Sequence, residues 1–183
     1  KNKGAGVGIS WAAESGARAS ANYVAANGAS SDTRSGGFAT DEAGGTGTLQ
    51  LGWEGENWGV AALYSKVHNG QDLIVYATPF VKDRFSDRGV THAYALGGFW
   101  QPLESGWLPS LSLGWGINQS DTQRKGQVRT SQSWRAGLQW NDVLMAGNNA
   151  GMAVGQPVFA TDLRGVDTPA DGQFIWEWWY RFQ

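Results

Sequence analysis

The fold class this sequence predicts is all-β: a transmembrane, antiparallel up-and-down β-barrel. Three observations predict it. The last segment sets Phe174, Trp176, Trp178, Tyr180 and Phe182 on one face of a strand and Gln173, Glu177 and Arg181 on the other. Side chains alternate along a strand with period two, so one face asks for an apolar medium while the other tolerates charge. About nine segments of this kind follow one another through the chain. The connections between them are predicted to alternate strictly, short after the first, third, fifth and seventh strands and long after the second, fourth, sixth and eighth. Outer-membrane barrels sort short turns and long loops to opposite ends in this way, and a soluble sandwich has no reason to do so.

The elements are predicted in order as follows. The first strand runs over about Ala5–Ala13, with Val7, Ile9 and Trp11 against Gly6, Gly8 and Ser10, and the second over about Ala17–Ala25 after the turn Glu14-Ser15-Gly16. A Gly/Ser/Ala-rich loop fills 26–44, and 45–53 and 58–64 then form a hairpin carrying Leu49, Leu51, Trp53, Val60, Ala62 and Tyr64 on one side. A long connection is expected over 67–90, followed by a strand with Tyr94, Leu96 and Trp100 on one face. Leu111, Leu113, Trp115 and Ile117 alternate with Ser110, Ser112, Gly114 and Gly116, the cleanest period-two run in the chain. A loop over 118–130, a strand with Trp134, Ala136, Leu138 and Trp140, a weaker strand over 150–156 and a loop over 157–171 lead to the aromatic strand.

Composition narrows the class. The chain of 183 residues has 27 Gly and 11 Trp, and such glycine-rich composition without a collagen period fits turns and curved strands better than helices. The longest apolar run is about seven residues, Trp58 to Tyr64, against the roughly 18 a spanning helix needs. The mean hydropathy of −0.38 is what strands apolar at every second position and joined by polar loops give. With no cysteine, disulfides, Cys-based metal clusters and thiol nucleophiles are excluded, and the net charge of −2 without a basic block leaves no footprint for nucleic acid. The start Lys1-Asn2-Lys3 lacks an initiator Met and a leader, so a longer polypeptide is expected, with at least one strand before Lys1.

A barrel with a wet interior works through the groups that line it. Arg18, Lys66, Arg135, Gln139, Glu177 and Arg181 are the pore-lining candidates, weighed against a role as plain wall solvation. Lys82, Asp83, Arg84, Asp87 and Arg88 fall in a long connection that would bend inward as a constriction loop. Trp179 faces the Glu177 side and is a candidate platform for sugars. Trp53, Trp58, Trp100, Trp107 and Trp140 lie beside short turns and would form one aromatic girdle, since indole favours the membrane–water boundary. His68 and His92 stand in no motif that positions a nucleophile, a base and its orienting group, and no His/carboxylate spacing suggests a metal. No enzyme and no cofactor are expected.

The phrases Tyr94-Ala95-Leu96-Gly97-Gly98-Phe99-Trp100, Leu111-Ser112-Leu113-Gly114-Trp115-Gly116, Gln139-Trp140-Asn141-Asp142-Val143, Gly155-Gln156-Pro157 and Phe174 to Phe182 together resemble the carbohydrate-selective porins of the OprB type, the cyanobacterial members above all. The resemblance covers most of the chain. It implies an outer-membrane barrel of about sixteen to eighteen strands, of which this segment is a part that stops short of the last one. In the cyanobacterial members it also implies a preceding S-layer-homology domain that binds peptidoglycan or another cell-wall polymer. The expected function is passive diffusion of small hydrophilic solutes, inorganic ions and sugars. Expected partners are outer-membrane lipid and lipopolysaccharide, with a homotrimer left open. A soluble carbohydrate-binding β-sandwich of lectin type is the alternative from another class, with the apolar faces as its core.

Overall fold

The computed structural model describes residues 4–182 apart from 33, 35, 38, 39, 41, 42, 71–74, 87, 105, 168 and 169. Nine strands run in chain order: β1 (Ala5–Ala12), β2 (Ala17–Ala25), β3 (Gly45–Glu54), β4 (Trp58–His68), β5 (Val90–Trp100), β6 (Ser110–Ser120), β7 (Val128–Asn141), β8 (Asn149–Leu163) and β9 (Ile175–Arg181). A short helix, α1 (Pro79–Arg84), lies between β4 and β5. Each strand pairs antiparallel with the next, in the order β1 to β9, which makes one up-and-down sheet. Among the described residues β1 and β9 are not paired with each other, so the sheet is open.

The register gathers the alternating patterns into two continuous faces. One row of aligned partners runs Trp11, Ala19, Leu51, Ala62, Leu96, Trp115 and Trp134, and the next runs Trp53, Val60, Gly98, Leu113, Ala136, Val154 and Trp176. The other face carries Ser20, Asn22, Thr48, Gln50, Ser65, Ala93, Asn118, Ser112, Ser133 and Arg135. A one-residue slip anywhere would swap the two faces, so pairing and patterning specify each other.

The rows are staggered. The row through Trp11 begins one residue from the short-turn end of β1 and reaches β8 at Gln156, seven residues from that end of the strand. This steady slip is the shear by which tilted strands curl a sheet toward a cylinder.

Among the described residues nothing packs on the apolar face. Ile9 is 74% exposed, Leu51 66%, Trp176 70% and Trp178 73%, and each such side chain would gain about 1.5–3 kcal/mol on leaving water. The accessible surface is 12131 Å², against roughly 8,600 Å² for a compact soluble monomer of this mass. The excess is the mark of a single layer whose apolar side is uncovered.

Three features differ from the sequence expectation. The connections do not alternate strictly in length, since β6–β7 spans only 121–127 while β5–β6 spans 101–109. The reason is that β6 and β7 continue as a ladder past their apolar stretches, through Asn118, Gln119 and Thr130, which pair as well in water as in an apolar medium. The weak strand expected over 150–156 is instead the longest element, 15 residues to Leu163. It passes Pro157, which lacks an N–H, by placing it where the β7–β8 register shifts between Gln132 and Trp134. The 67–90 connection starts later than expected, because β4 runs on to His68, and it contains α1. There Thr78 caps the helix by accepting from the Val81 N–H at 3.2 Å, with Pro79 at its first turn.

Candidate functional site

The polar face is where side-chain chemistry concentrates, and the 69–89 connection folds onto it. Leaving β4, the chain passes β5, β6 and β7 and pairs with β8, where Val158 donates to the Tyr76 carbonyl at 3.1 Å and accepts from the Thr78 N–H at 2.9 Å. β9 pairs with β8 only as far as Gly155, so the connection takes up edge groups that β9 does not reach. Asp171 completes the edge. Its Oδ2 accepts from Ala160 N–H at 2.8 Å and from Thr78 Oγ1 at 2.7 Å.

Beneath α1 lies the one hydrophobic cluster of buried residues found among those described: Ala77, Val81, Val128, Ala160 and Leu163, flanked by Phe80, Phe85 and Val158. Val81 and Val128 are both 0% exposed. Ala160 is opposite Ser131, which bonds Asn118, and these belong to the polar face, so α1 covers that face and not the apolar one. The helix thus lies across a face otherwise floored by small and polar groups.

Five of the six pore-lining candidates share this face. Arg18 sits opposite Gly52 and is ion-paired to Glu54 at 2.5 Å. Arg135 lies between Gly114 and Gly155 with its Nε over Gly114, and a Cβ built on Gly114 would come 3.3 Å from it. Gln139 donates to Asn141 Oδ1 at 3.1 Å, while Glu177 and Arg181 lie on β9 without an ion pair among the described residues. Lys66 is the exception, and the sequence reading placed it wrongly. Its row runs Tyr23, Gly47, Lys66, His92 and Gln119, which is the apolar face at the long-connection end. The parity of β4 dictates this, because Lys66 is two residues from Tyr64.

Of the constriction-loop candidates, Lys82, Asp83 and Arg84 are on α1 and Arg88 follows it, all exposed. Asp87 lies outside the described residues. Arg84 Cζ stacks 4.7 Å from the Phe80 ring centroid. Trp179 also faces the polar side. It lies over Gly151, where a Cβ would fall 2.1 Å from Trp179 Cζ2, and it walls a cleft of about 280 Å³ with Phe99, Ser110, Ser112, Gln139 and Asn141.

Of the tryptophans beside the short turns, Trp53, Trp58, Trp100 and Trp140 stand on the apolar face, and Trp107 lies in the β5–β6 connection. Trp58 is opposite Trp100, Trp53 opposite Val60, and Trp140 Nε1 donates to the Trp107 carbonyl at 2.8 Å. At the other end of the belt Trp115 and Trp134 donate to Gln132 and Gln156 at 3.3 and 2.7 Å, and Tyr64 Oη lies 2.8 Å from His92 Nδ1. These four aromatic side chains thus keep their polar ends partnered while their rings stay on the apolar face. Between Trp58 and Tyr64, and along the matching stretches of the neighbouring strands, the apolar face carries no charged residue among those described.

Sequence reasoning missed Thr78, Val81, Val128 and Asp171, the residues that dock the connection. The Thr-Pro pair before a short apolar run was the available signal for α1; Asp171 had none. Among the described residues no group of three His, Cys, Asp or Glu could hold a metal ion, and no helix is long and apolar enough to cross a membrane. Comparison with protein-family models, with curated proteins and with solved structures gave no match.

Proposed function

We propose that this sheet is part of an outer-membrane porin barrel that gives small hydrophilic solutes a passive path along its polar face. The observation that carries the reading is the apolar face, in register across all nine strands and uncovered. Water would penalise such a face over its whole extent, and hydrocarbon would not. Strands β4 to β8 are 11 to 15 residues long, enough for the 9–11 residues that a tilted strand needs to cross a bilayer of about 30 Å. The staggered register and the row of tryptophans at one end support the same reading.

In this reading further strands close the barrel, because an open edge in lipid leaves backbone groups unpaired at several kcal/mol each. The polar face then lines the lumen, α1 and its flanks narrow it from one side, and Arg135, Gln139, Glu177 and Arg181 bias what passes. The cleft beside Trp179, an aromatic wall with amide and hydroxyl groups, suits sugars as well as ions. The lectin alternative needs a second layer over the apolar face, and none is present among the described residues.

The test is planar-bilayer conductance of the full-length protein purified in detergent. Discrete conductance steps are expected, with reduction of current by added sugars if the Trp179 cleft takes them. Silent bilayers together with a well-folded, detergent-free monomer would overturn the porin reading.

A further inference from the structure

The long-connection end of the polar face holds cations that the ion pairs of the sheet leave over. Arg18 is paired with Glu54 and Arg129 with Asp162. Arg84, Lys125 and Arg164 have no ion pair among the described residues, yet they come from three separate connections to one neighbourhood. A Cβ built on Gly126 would lie 4.0 Å from Arg84 Nη1, and one built on Gly165 would lie 3.6 Å from Lys125 Cγ. Gly126 N–H donates to the Arg164 carbonyl at 2.8 Å, and Arg164 N–H to the Gln127 carbonyl at 2.9 Å, so the β6–β7 and β8–β9 connections are tied together there.

The three cations are held in different ways. Phe80 supports the Arg84 guanidinium from one side, Arg164 Nη1 donates to the Thr122 carbonyl, and the Lys125 stem lies along Gly165. Arg124 adds a fourth exposed charge on the same connection, where its backbone N–H takes Gln127 Oε1 at 3.1 Å. The described carboxylates of these three connections are Asp83, Asp121, Asp167 and Asp171, of which Asp121 accepts from Gln123 Nε2 at 3.5 Å and Asp171 is taken up by Thr78 and the Ala160 N–H. Among the described residues of these connections the cations Lys82, Arg84, Arg88, Arg124, Lys125 and Arg164 outnumber those four carboxylates, although the chain as a whole carries −2.

We infer that Arg84, Lys125 and Arg164 form a site for a small inorganic oxyanion of the phosphate or sulfate type, and that it makes the path anion-preferring. The inference rests on the reading of the polar face as a conduit. Guanidinium groups match oxyanion geometry with paired N–H donors, and an ammonium adds a point charge. Grouped at one end of the path, the cations also raise the local anion concentration there, an effect that salt screens over a Debye length of about 10 Å at 0.1 M.

Reversal potentials of the full-length protein in a potassium chloride gradient test the selectivity, with inorganic phosphate added as the probe of the site. The expected result is a chloride over potassium permeability ratio above one, lowered about twofold or more in Arg84→Gln/Lys125→Gln. Phosphate should reduce the chloride current, at about tenfold higher concentration in the double variant, the loss expected for removing charge-assisted contacts. Lys125→Glu, which leaves α1 untouched, should shift the ratio further in the same direction. Cation preference in the unaltered protein, or a ratio and phosphate effect that neither variant changes, would overturn the inference while leaving the porin reading standing. If no conductance is seen, calorimetric titration of phosphate into the detergent-solubilised protein decides the site by itself: binding lost in the double variant supports it and absence of binding removes it.

Discussion

The two faces of the sheet share one backbone and one register, yet one holds the buried cluster and the other holds most of the exposed apolar side chains that the strands carry. On the polar side Val81, Val128, Ala160 and Leu163 bury themselves beneath a connection that crosses three strands. On the apolar side Ile9, Leu51, Trp176 and Trp178 stand uncovered. In a soluble protein the larger apolar surface would be the core. Here the small cluster only docks a loop, so the solvent of the large face must be supplied from outside the fold.

The largest effect should come from reversing the character of one face while leaving its neighbour alone. Leu51→Arg puts a charge in the middle of the apolar rows, whereas Gln50→Arg, one residue away, changes the opposite face. An arginine facing hydrocarbon near the bilayer midplane costs about 2–4 kcal/mol, and one facing a wet lumen costs little. Urea unfolding in lipid vesicles should therefore show a clear loss for Leu51→Arg and almost none for Gln50→Arg. Equal losses would mean that the two faces do not meet different solvents.

Next in size is Gly151→Ala, which tests how closely the polar face is packed. Its Cβ would fall 2.1 Å from Trp179 Cζ2 and 2.8 Å from the Leu138 carbonyl oxygen. The ring can move but the backbone cannot, so overpacking of about 2–3 kcal/mol is expected, with a shift in tryptophan fluorescence as Trp179 leaves its cleft. An unshifted spectrum would place the ring elsewhere.

Asp171→Ala asks what holds the connection against the polar face. It removes the acceptor of the Thr78 hydroxyl and leaves the edge N–H of buried Ala160 unpaired, a loss of about 1–2 kcal/mol. Because the loss is local to the docking of α1, single-channel conductance should rise while the strands stay folded. A lower or unchanged conductance would show that the connection does not narrow the path.

The sequence made the sheet legible because its strongest signal, period two, is the same signal that decides which face a residue takes. β2 lies where the alternation of Ala19, Ala21 and Tyr23 puts it. What was not legible depends on long-range geometry. The upper half of β8 carries a proline and mixed residues, and only the register shift opposite β7 lets it continue as a strand. The docking of α1 joins residues far apart in the chain through Thr78, Val158 and Asp171, and no local pattern announces such a contact. Lys66 was legible and was misread, since its charge suggested a lumen position while the parity of Tyr64 had already assigned it to the other face. At the candidate site, Arg135 and Gln139 followed from alternation alone, whereas the grouping of Arg84 with Lys125 and Arg164 arises only once three connections are folded together.

The smallest expected effect concerns the pair Arg18–Glu54, and it separates what a charge does for stability from what it does for a passing ion. Both side chains are about half exposed, with the guanidinium 2.5 Å from Glu54 Oε2. An ion pair so open to solvent is worth less than about 1 kcal/mol, so Arg18→Gln should leave the unfolding midpoint almost unchanged. Its consequence lies in the balance of charge at the short-turn end. Removing the cation frees Glu54, and if this end of the polar face is part of the path, permeability should move slightly toward cations, an effect that high salt would screen away. A stable variant with unaltered selectivity at low salt would put the Arg18 end of the face outside the part of the path that discriminates, and leave that work to Arg135 and the α1 end.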